Sequence, residues 1–217
     1  GYNRKGRPAP IPAREFPMFR ADLHIHSRFS RATSKALTIP NLAAWAGAKG
    51  IDVLATGDFT HPVWRQELRD GLELDENTGL YRLKKPLSRE EFSREIPQLA
   101  GMEFKAPQFM LEAEISSIYK KNGKVRKVHS LVYVPDLDSA DRLCAKLDAI
   151  GNLKSDGRPI LGLDVKDLLS MVLETRNKQH ADDIEQALID HLNGKYYDVK
   201  KTDDCSSIVW GEDNGIH

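Results

Sequence analysis

The alternation of apolar and polar positions predicts strands and helices in turn along the first part of the chain. Residues 19–26, FRADLHIH, alternate with a period of two, which is typical of a strand. Residues 38–50 have helical spacing, with Thr38 placed as the N-cap and a glycine at the end. Residues 51–59 form a nearly continuous apolar run that ends in Gly-Asp, as buried parallel strands do. The order strand, helix, strand indicates an α/β fold.

The pattern changes after this point, and a long hairpin follows. Residues 62–106 are rich in charge and contain the turn signal DENTG and the capping signal SREE, so we expect a surface insertion between two strands. Residues 109–119 and 124–135 are strand-like, and the Asn-Gly step between them is a strong hairpin signal. Residues 138–151 and 164–175 have helical periodicity.

Length and charge divide the chain into three parts. A chain of 217 residues can bury one sizeable core. We expect a basic, proline-rich arm over 1–18, one main domain over 19–175, and an acidic segment over 176–217, which holds nine acidic and five basic side chains. No apolar run is long enough to span a membrane, so we expect no membrane partner. The two cysteines, Cys144 and Cys205, lie far apart without metal-type spacing, which favours a reduced, cytoplasmic protein.

Histidines and aspartates follow the first two predicted strands. In a strand, alternate side chains share a face, so Asp22, His24 and His26 project together. Two such imidazoles can bind one divalent ion, and Asp22 is placed to orient one of them. Asp58 and His61 follow the second strand, at the end where chemistry gathers in α/β folds. The alternatives are histidines buried in the core and a turn-capping role for Asp58.

The predicted hairpin adds carboxylates and a further histidine. Glu112 and Glu114 alternate with apolar residues, and a buried carboxylate is costly unless it is paired or bound to a metal. His129 lies in the facing strand. Histidine with a bridging carboxylate is the ligand chemistry of zinc, manganese or iron. The sequence therefore predicts a divalent-metal site, with zinc as the first candidate and manganese, magnesium or iron as alternatives.

The turn of the hairpin is strongly basic. Five cations lie within 120–127 without an acidic residue between them: Lys120, Lys121, Lys124, Arg126 and Lys127. Such a run is suited to contacts with nucleic-acid phosphates. The alternative is a solvated hairpin tip.

Several of these stretches together resemble one known group of enzymes. DLHIHS, GDFTHP, EAEIS and the following VH resemble the first motifs of the polymerase and histidinol phosphatase (PHP) superfamily. HSRFSRATSKALTIPNL, VRKVHSLVYVPD and IGNLKSDGRPILGLDVKDLL resemble the N-terminal part of endonuclease Q and its bacterial relatives. The resemblance covers roughly residues 19–175. It implies a distorted β/α barrel that binds metal ions and hydrolyses phosphoesters, here a partial barrel with a surface insertion and a divergent C-terminal segment.

The resemblance also implies a substrate and a set of ligands. The related enzymes are DNA repair nucleases that nick on the 5′ side of deaminated bases, so DNA is the expected partner. His24 and His26 would bind a first metal, with Glu114 bridging to a second that His129 binds. Glu112 is the weaker candidate for the bridge, because Glu114 aligns with the family's EIS motif.

The second motif and the end of the chain complete the comparison with the family. His61 would be a further metal ligand, with Asp58 beside it, and Asp58 and Glu114 are the expected catalytic carboxylates. The family also needs a final Asp-x-His, which 176–217 does not contain. That segment holds three histidines that we expect on the surface: His180, His191 and His217.

Three functions follow from this mixture of matches and departures. The first is a metal-dependent phosphodiesterase related to DNA repair endonucleases, weak or incomplete in this chain alone. The second is a non-catalytic PHP-like binding or structural subunit of a larger assembly, with a protein partner that completes the barrel. The third and weakest is a phosphatase for small molecules.

Overall fold

The structure is a computed structural model that describes residues 19–101 and 104–175. The predicted basic arm, the acidic segment with its three histidines, and Cys205 lie outside the described residues. None of the described helices is long and apolar enough to cross a membrane.

The described residues form a mixed α/β fold with seven strands and five helices. The strands are β1 (Ala21–Asp22), β2 (Val53–Ala55), β3 (Leu72–Asp75), β4 (Leu80–Leu83), β5 (Gln108–Lys121), β6 (Lys124–Val134) and β7 (Ile160–Leu161). The helices are α1 (Ile39–Lys49), α2 (Pro62–Gly71), α3 (Arg89–Glu95), α4 (Leu137–Asp148) and α5 (Val165–Glu174). A short 3₁₀ turn over Pro97–Leu99 follows α3.

The sheet is centred on β5, which is its longest strand. Its main path runs β1-β2-β5-β4-β3, with β1, β2 and β5 parallel and with β3 and β4 antiparallel to their neighbours. The distal part of β5 pairs with β6 in the antiparallel sense and with β7 in the parallel sense. The sheet does not close among the described residues. The predicted α/β class and the incomplete barrel are therefore confirmed.

Local signals account for where the first helix and the hairpin lie. Thr38 caps α1 by accepting a hydrogen bond from the backbone of Asn41, and Gly50 ends it with φ of 68°. Asn122 and Gly123, with φ of 53° and 73°, form the two-residue turn that joins β5 to β6. Positive φ at both central residues is the requirement of a type I′ turn, which suits the twist of paired strands. The predicted helix and hairpin are confirmed.

Residues 62–106 are more integral to the fold than a surface insertion. Trp64 and Leu68, one turn apart on α2, are fully buried, which is the pattern of an amphipathic helix packed on a sheet. The β3–β4 hairpin extends the sheet, because Tyr81 pairs with Phe109 of β5. The charged residues that suggested a surface segment lie on the outer faces of these elements, and their apolar neighbours join the main core.

Candidate metal centre

His24 and His26 lie just after β1 instead of within a strand. The predicted strand over 19–26 is reduced to Ala21–Asp22, and both histidines belong to the segment that leaves it. Their rings still lie together, with centroids 5.2 Å apart at 79°. The side chains are 46% and 22% exposed, so the edge-on pair is open to solvent on one side.

Glu114 is the point on which three histidines converge. Its Oε2 lies 3.0 Å from His24 Nε2 and 3.5 Å from His26 Nε2. Its Oε1 hydrogen-bonds with Nδ1 of His129, which lies opposite Ser116 in the hairpin and so shares the face of Glu114. Glu114 is 4% exposed. The prediction that this carboxylate is buried beside His24 and His129 is confirmed.

The protonation of Glu114 follows from these contacts. Burial raises the pKa of its carboxyl group, but the hydrogen bonds with His129 and His24 outweigh that effect and hold the pKa below its usual value. The group is therefore ionised near neutral pH and able to bind a cation. Among the described residues, His24, His26 and Glu114 bring one ligand atom each within 4.8 Å of one another, so they are placed to hold a metal ion.

Asp58 contacts the ring nitrogen of His26 that lies on the side away from Glu114. It is fully buried, and its Oδ1 lies 3.2 Å from His26 Nδ1. This leaves His26 Nε2 directed at Glu114, the arrangement by which a carboxylate fixes a metal-binding imidazole. We expected Asp22 to orient one of the histidines, and this was wrong for His26. The acceptor comes from the loop after β2, because that loop packs against the backbone of His26.

The close packing of these two loops depends on Gly57. Its φ is 62°, and an ideal Cβ at this position would lie 2.5 Å from Ile25 O and 3.0 Å from His26 Cα. Only glycine combines that conformation with that approach. The indole nitrogen of Trp64 donates to Gly57 O at 2.9 Å and holds the turn in place. The Gly-Asp pair at the end of β2 is therefore what carries Asp58 to His26.

Two serines complete the surroundings of Asp58, and sequence reasoning missed them. Ser27 donates to Oδ2 through both its backbone nitrogen and its hydroxyl group, each at 2.7 Å, and Ser30 Oγ donates at 2.8 Å. Both serines are buried. The sequence HSRFS places them directly after the histidines, but nothing local indicates that their hydroxyl groups meet a carboxylate about thirty residues further along the chain.

His61 lies apart from the cluster. It caps α2, with its Nδ1 accepting from the backbone of Trp64 at 3.4 Å, and its ring stacks on Phe29 with centroids 4.2 Å apart. Burial lowers its pKa, against a hydrogen bond with the backbone of Lys154. A neutral ring is the form that accepts at a helix N-cap. The structure does not bring His61 together with His24, His26 and Glu114, and its role as a ligand stays a prediction.

Glu112 is a buried carboxylate that has no hydrogen-bond partner. It is fully buried, and neither of its oxygens is hydrogen-bonded within the described residues. Burial, together with the nearby carboxylates of Asp58, Glu114 and Asp22, raises its pKa to about 8. A group of this kind needs a proton or a cation close by. The imidazole and carboxylate donors around Glu114 and this unpartnered acid together fit a site for a divalent ion.

The basic hairpin tip lies far along the same strand. All five of its cations are exposed: Lys120, Lys121, Lys124, Arg126 and Lys127. Lys120 is six residues beyond Glu114 on β5, which corresponds to about 20 Å at the rise of an extended strand. Lys127 is closer, because it lies two residues from His129 on β6, about 7 Å along the strand. The cations therefore extend from the turn towards the histidine cluster, and their role with nucleic acid stays a prediction.

Sequence comparison finds a distant relative of this chain. No family model matches it. The uncharacterized protein MJ0043 of Methanocaldococcus jannaschii is 26% identical over 152 residues, which cover 70% of this chain and 14% of that protein.

Two solved structures share its fold. The lesion-specific endonuclease Q of Pyrococcus furiosus matches 72% of this chain and 32% of its own, with a TM-score of 0.54 and 25% identity. A structure of endonuclease Q in complex with a 27-mer duplex substrate, with an abasic lesion at the active site, matches 71% of this chain and 32% of its own, with a TM-score of 0.54 and 28% identity. The chain thus spans about a third of these enzymes, and its fold resembles that part of endonuclease Q.

Proposed function

We propose that this chain is a PHP-type, metal-dependent phosphodiesterase domain related to DNA repair endonucleases. The observation that carries the proposal is the convergence of His24, His26 and His129 on the buried carboxylate of Glu114. The resemblance to endonuclease Q over 72% of the chain supports the assignment of this cluster to phosphoester chemistry.

The residues around Glu114 have distinct tasks in this proposal. His24 and His26 would hold a first ion together with Glu114, and His129 would hold a second ion with the same carboxylate. Asp58 keeps His26 Nε2 directed at the site. When bound, a divalent ion supplies Lewis-acid polarisation of a phosphoryl oxygen and lowers the pKa of a water molecule. Zinc is the first candidate because neutral imidazole and carboxylate are its usual ligands.

DNA is the proposed substrate, with a deaminated base as the site of nicking. One of the matching structures holds a DNA duplex, and this supports the choice of nucleic acid over a small phosphoester. The exposed cations of the hairpin tip would contact phosphates of a duplex that passes the site, from Lys127 beside His129 out to Lys120, about 20 Å from Glu114 along β5.

Activity of this chain alone is proposed to be weak. The final Asp-x-His of the family is absent from 176–217, and loss of a direct ligand weakens or abolishes the ion that it serves. Among the described residues β6 pairs only with β5, and a further strand on its other edge would extend the sheet. A protein partner that completes the barrel is part of the proposal.

The missing Asp-x-His equally favours a second candidate function. In this alternative the chain keeps a partial metal site and acts as a non-catalytic subunit of an assembly. The two candidates differ in whether the chain hydrolyses a phosphodiester bond at all.

Metal analysis and a nicking assay test the proposal together. The purified chain is stripped with a chelator, reloaded with zinc or manganese, and analysed by mass spectrometry for bound metal. It is then incubated with an end-labelled duplex that carries one deoxyuridine and with an undamaged duplex. We expect at least one bound ion and slow, metal-dependent nicking of the damaged strand, both absent in the double variant His24→Ala, His26→Ala. Metal binding without nicking would favour the non-catalytic subunit, and no metal binding would refute both.

A further inference from the structure

The loop over 152–158 belongs to the stretch GNLKSDGRP, to which the proposed chemistry assigns no role. Its shape is fixed by its own side chains. Lys154 N donates to Asn152 Oδ1 at 2.9 Å, and Arg158 N donates to Asp156 Oδ1 at 3.1 Å. A loop with two such turns has little freedom to yield when a neighbour changes.

Gly157 ties this loop to both loops of the metal centre. Its backbone nitrogen donates to Phe29 O at 3.0 Å, in the loop after β1. Its carbonyl oxygen accepts from Thr60 Oγ1 at 3.2 Å, in the loop after β2. The residue is therefore held in place from two sides.

There is no space for a side chain at Gly157. An ideal Cβ would lie 2.5 Å from Asp58 Cγ and 2.5 Å from Ser30 Oγ, and it would lie nearer still to Asp58 Oδ2. Contacts under 3.0 Å are essentially never seen for real Cβ atoms, so something must shift. Gly157 is not among the residues with positive φ, so space and not backbone conformation is what requires glycine here.

Asp58 cannot move aside without cost to His26. Its Oδ2 accepts three hydrogen bonds from Ser27 and Ser30, and its Oδ1 is the partner of His26 Nδ1. Its own φ is 51°, which limits the backbone adjustments open to it. A methyl group at position 157 would therefore displace a carboxylate whose hydrogen bonds all go to the loop after β1.

We propose that Gly157 is a positioning residue of the metal centre, which acts through Asp58 on His26. The absence of a side chain lets Asp58 sit under the loop after β1, and Asp58 in turn directs His26 Nε2 towards Glu114. The inference rests on the proposed function only because it treats His26 as a metal ligand. The position of the His26 ring should depend on Gly157 in the metal-free protein as well.

The test compares Gly157→Ala with two control variants. Gly47→Ala is equally crowded, 2.6 Å from Phe104 Cδ2 and 2.9 Å from Lys105 O, but these contacts are remote from the cluster. Gly162→Ala meets nothing within 4 Å. Each protein is measured by thermal unfolding, by zinc affinity in competition with a chelator, and by nitrogen-15 NMR of the His26 ring in metal-free protein.

We expect Gly157→Ala to change the His26 ring signals and to weaken zinc binding by about 10–100-fold, the usual cost of losing an outer-shell partner. Gly47→Ala should lower the unfolding temperature but leave both other measurements as in the original protein. Unchanged His26 signals and zinc affinity in folded Gly157→Ala would overturn the inference, and so would an equal loss of affinity in Gly47→Ala. Because the NMR measurement needs no metal, a chain that binds no zinc would refute the proposed function and leave this test intact.

A double variant covers the case in which Gly157→Ala does not fold. Asp58→Gly removes the carboxylate at a position whose positive φ suits glycine. In that background Gly157→Ala should fold and should have no further effect on zinc affinity. The carboxylate that the methyl group meets is gone, and Ser30 Oγ, which then has no Asp58 carboxylate to donate to, can turn to another rotamer. A further loss of affinity, or failure of the double variant to fold where Asp58→Gly alone does, would show that the glycine is needed for another reason.

Discussion

The loops that follow β1 and β2 carry the same kinds of side chain and use them in different ways. His24 and His26 are partly exposed and turn ring nitrogens towards Glu114. Asp58 and His61 are buried, and their polar atoms are taken up by hydrogen bonds inside the protein. The first loop leaves its imidazoles accessible to a ligand, and the second loop hydrogen-bonds to the first through Asp58.

The difference shows that residue type alone does not identify a ligand. A histidine in a turn after a parallel strand fits a metal site and a helix N-cap equally well in sequence. Exposure and the number of free ring nitrogens distinguish them, because a ligand must keep one nitrogen for the metal. His61 has one nitrogen on the backbone of Trp64 and a hydrogen bond with the backbone of Lys154.

Removal of the histidines of the first loop should have the largest effect. We expect His24→Ala with His26→Ala to weaken zinc binding by more than the roughly 100-fold that outer-shell losses cost, because two direct ligands are lost. His61→Asn should leave zinc binding unchanged, since asparagine can still accept from Trp64 N at the helix N-cap. Zinc affinity in competition with a chelator and metal content by mass spectrometry are measured for both variants. A loss of bound metal in His61→Asn would show that His61 is a ligand, as the sequence resemblance implied, and would remove the contrast between the loops.

Weakening the hydrogen bonds of Asp58 to the loop after β1 should have a smaller effect on zinc affinity. Asp58→Asn keeps the volume of the side chain but offers one acceptor oxygen in place of two. Because the donors from Ser27, Ser30 and His26 can no longer all be satisfied, we expect zinc affinity to fall by about 10–100-fold. The free energy of unfolding of the metal-free protein should fall by about 1–3 kcal/mol. If stability falls and zinc affinity does not, Asp58 supports the fold alone.

Glu112 provides a pH-dependent test of the same environment. Its pKa of about 8 in the folded protein lies above the ordinary value of 4.5, so the folded state keeps a proton that the unfolded chain releases. Its contribution to stability is full below the unfolded pKa and is lost as pH rises towards 8. The free energy of unfolding of the metal-free protein should therefore fall by up to about 1.4 kcal/mol per pH unit across that range.

The matched variant Glu112→Gln should lack this slope. Denaturant unfolding at several pH values, with a chelator present, measures both proteins. All other titratable groups are common to the two proteins, so the difference between the profiles reports Glu112. Parallel profiles would show that Glu112 is not held protonated beside Asp58 and Glu114.

The smallest expected effect concerns the hairpin tip. Neutralising Lys120, Lys121 and Lys124 should weaken DNA binding on all sequences and reduce the salt dependence by about one unit of slope per lost phosphate contact. The matched control removes the same charge at three exposed lysines elsewhere in the described fold: Lys49, Lys105 and Lys166. Equal salt slopes in the two variants would show that the tip has no particular contact with DNA.

Elements fixed by local chemistry were predictable from sequence. The turn at Asn122 and Gly123 and the cap at Thr38 depend on neighbours a few residues away, and both were found as expected. The position of Glu114 followed from alternation along β5. These are cases in which the signal and its effect lie in the same short stretch.

Features that depend on distant contacts were not predictable. The strand over 19–26 is short because a strand lasts only as long as its pairing, and β1 pairs with β2 over two residues. The partner of His26 is Asp58, 32 residues away, and not its neighbour Asp22. Ser30, from the same loop as His26, and Gly157, from a third loop, meet that same carboxylate. No periodicity or spacing in the sequence predicts such contacts between residues of separate loops.

Within the part of the chain that the structure describes, one edge of β6 is unpaired, and this has a consequence for how the protein behaves at high concentration. An eleven-residue edge strand offers a row of free backbone groups to a second molecule, and Val125, Leu131 and Tyr133 on its face are exposed. The lysines near the turn oppose edge-to-edge pairing by repulsion, but the half that ends at Val134 contains no lysine or arginine. With a sequence pI of about 7.2, net charge offers little colloidal repulsion at neutral pH. Self-association should therefore be strongest near pH 7 and should begin at the end of β6 that is remote from the basic tip.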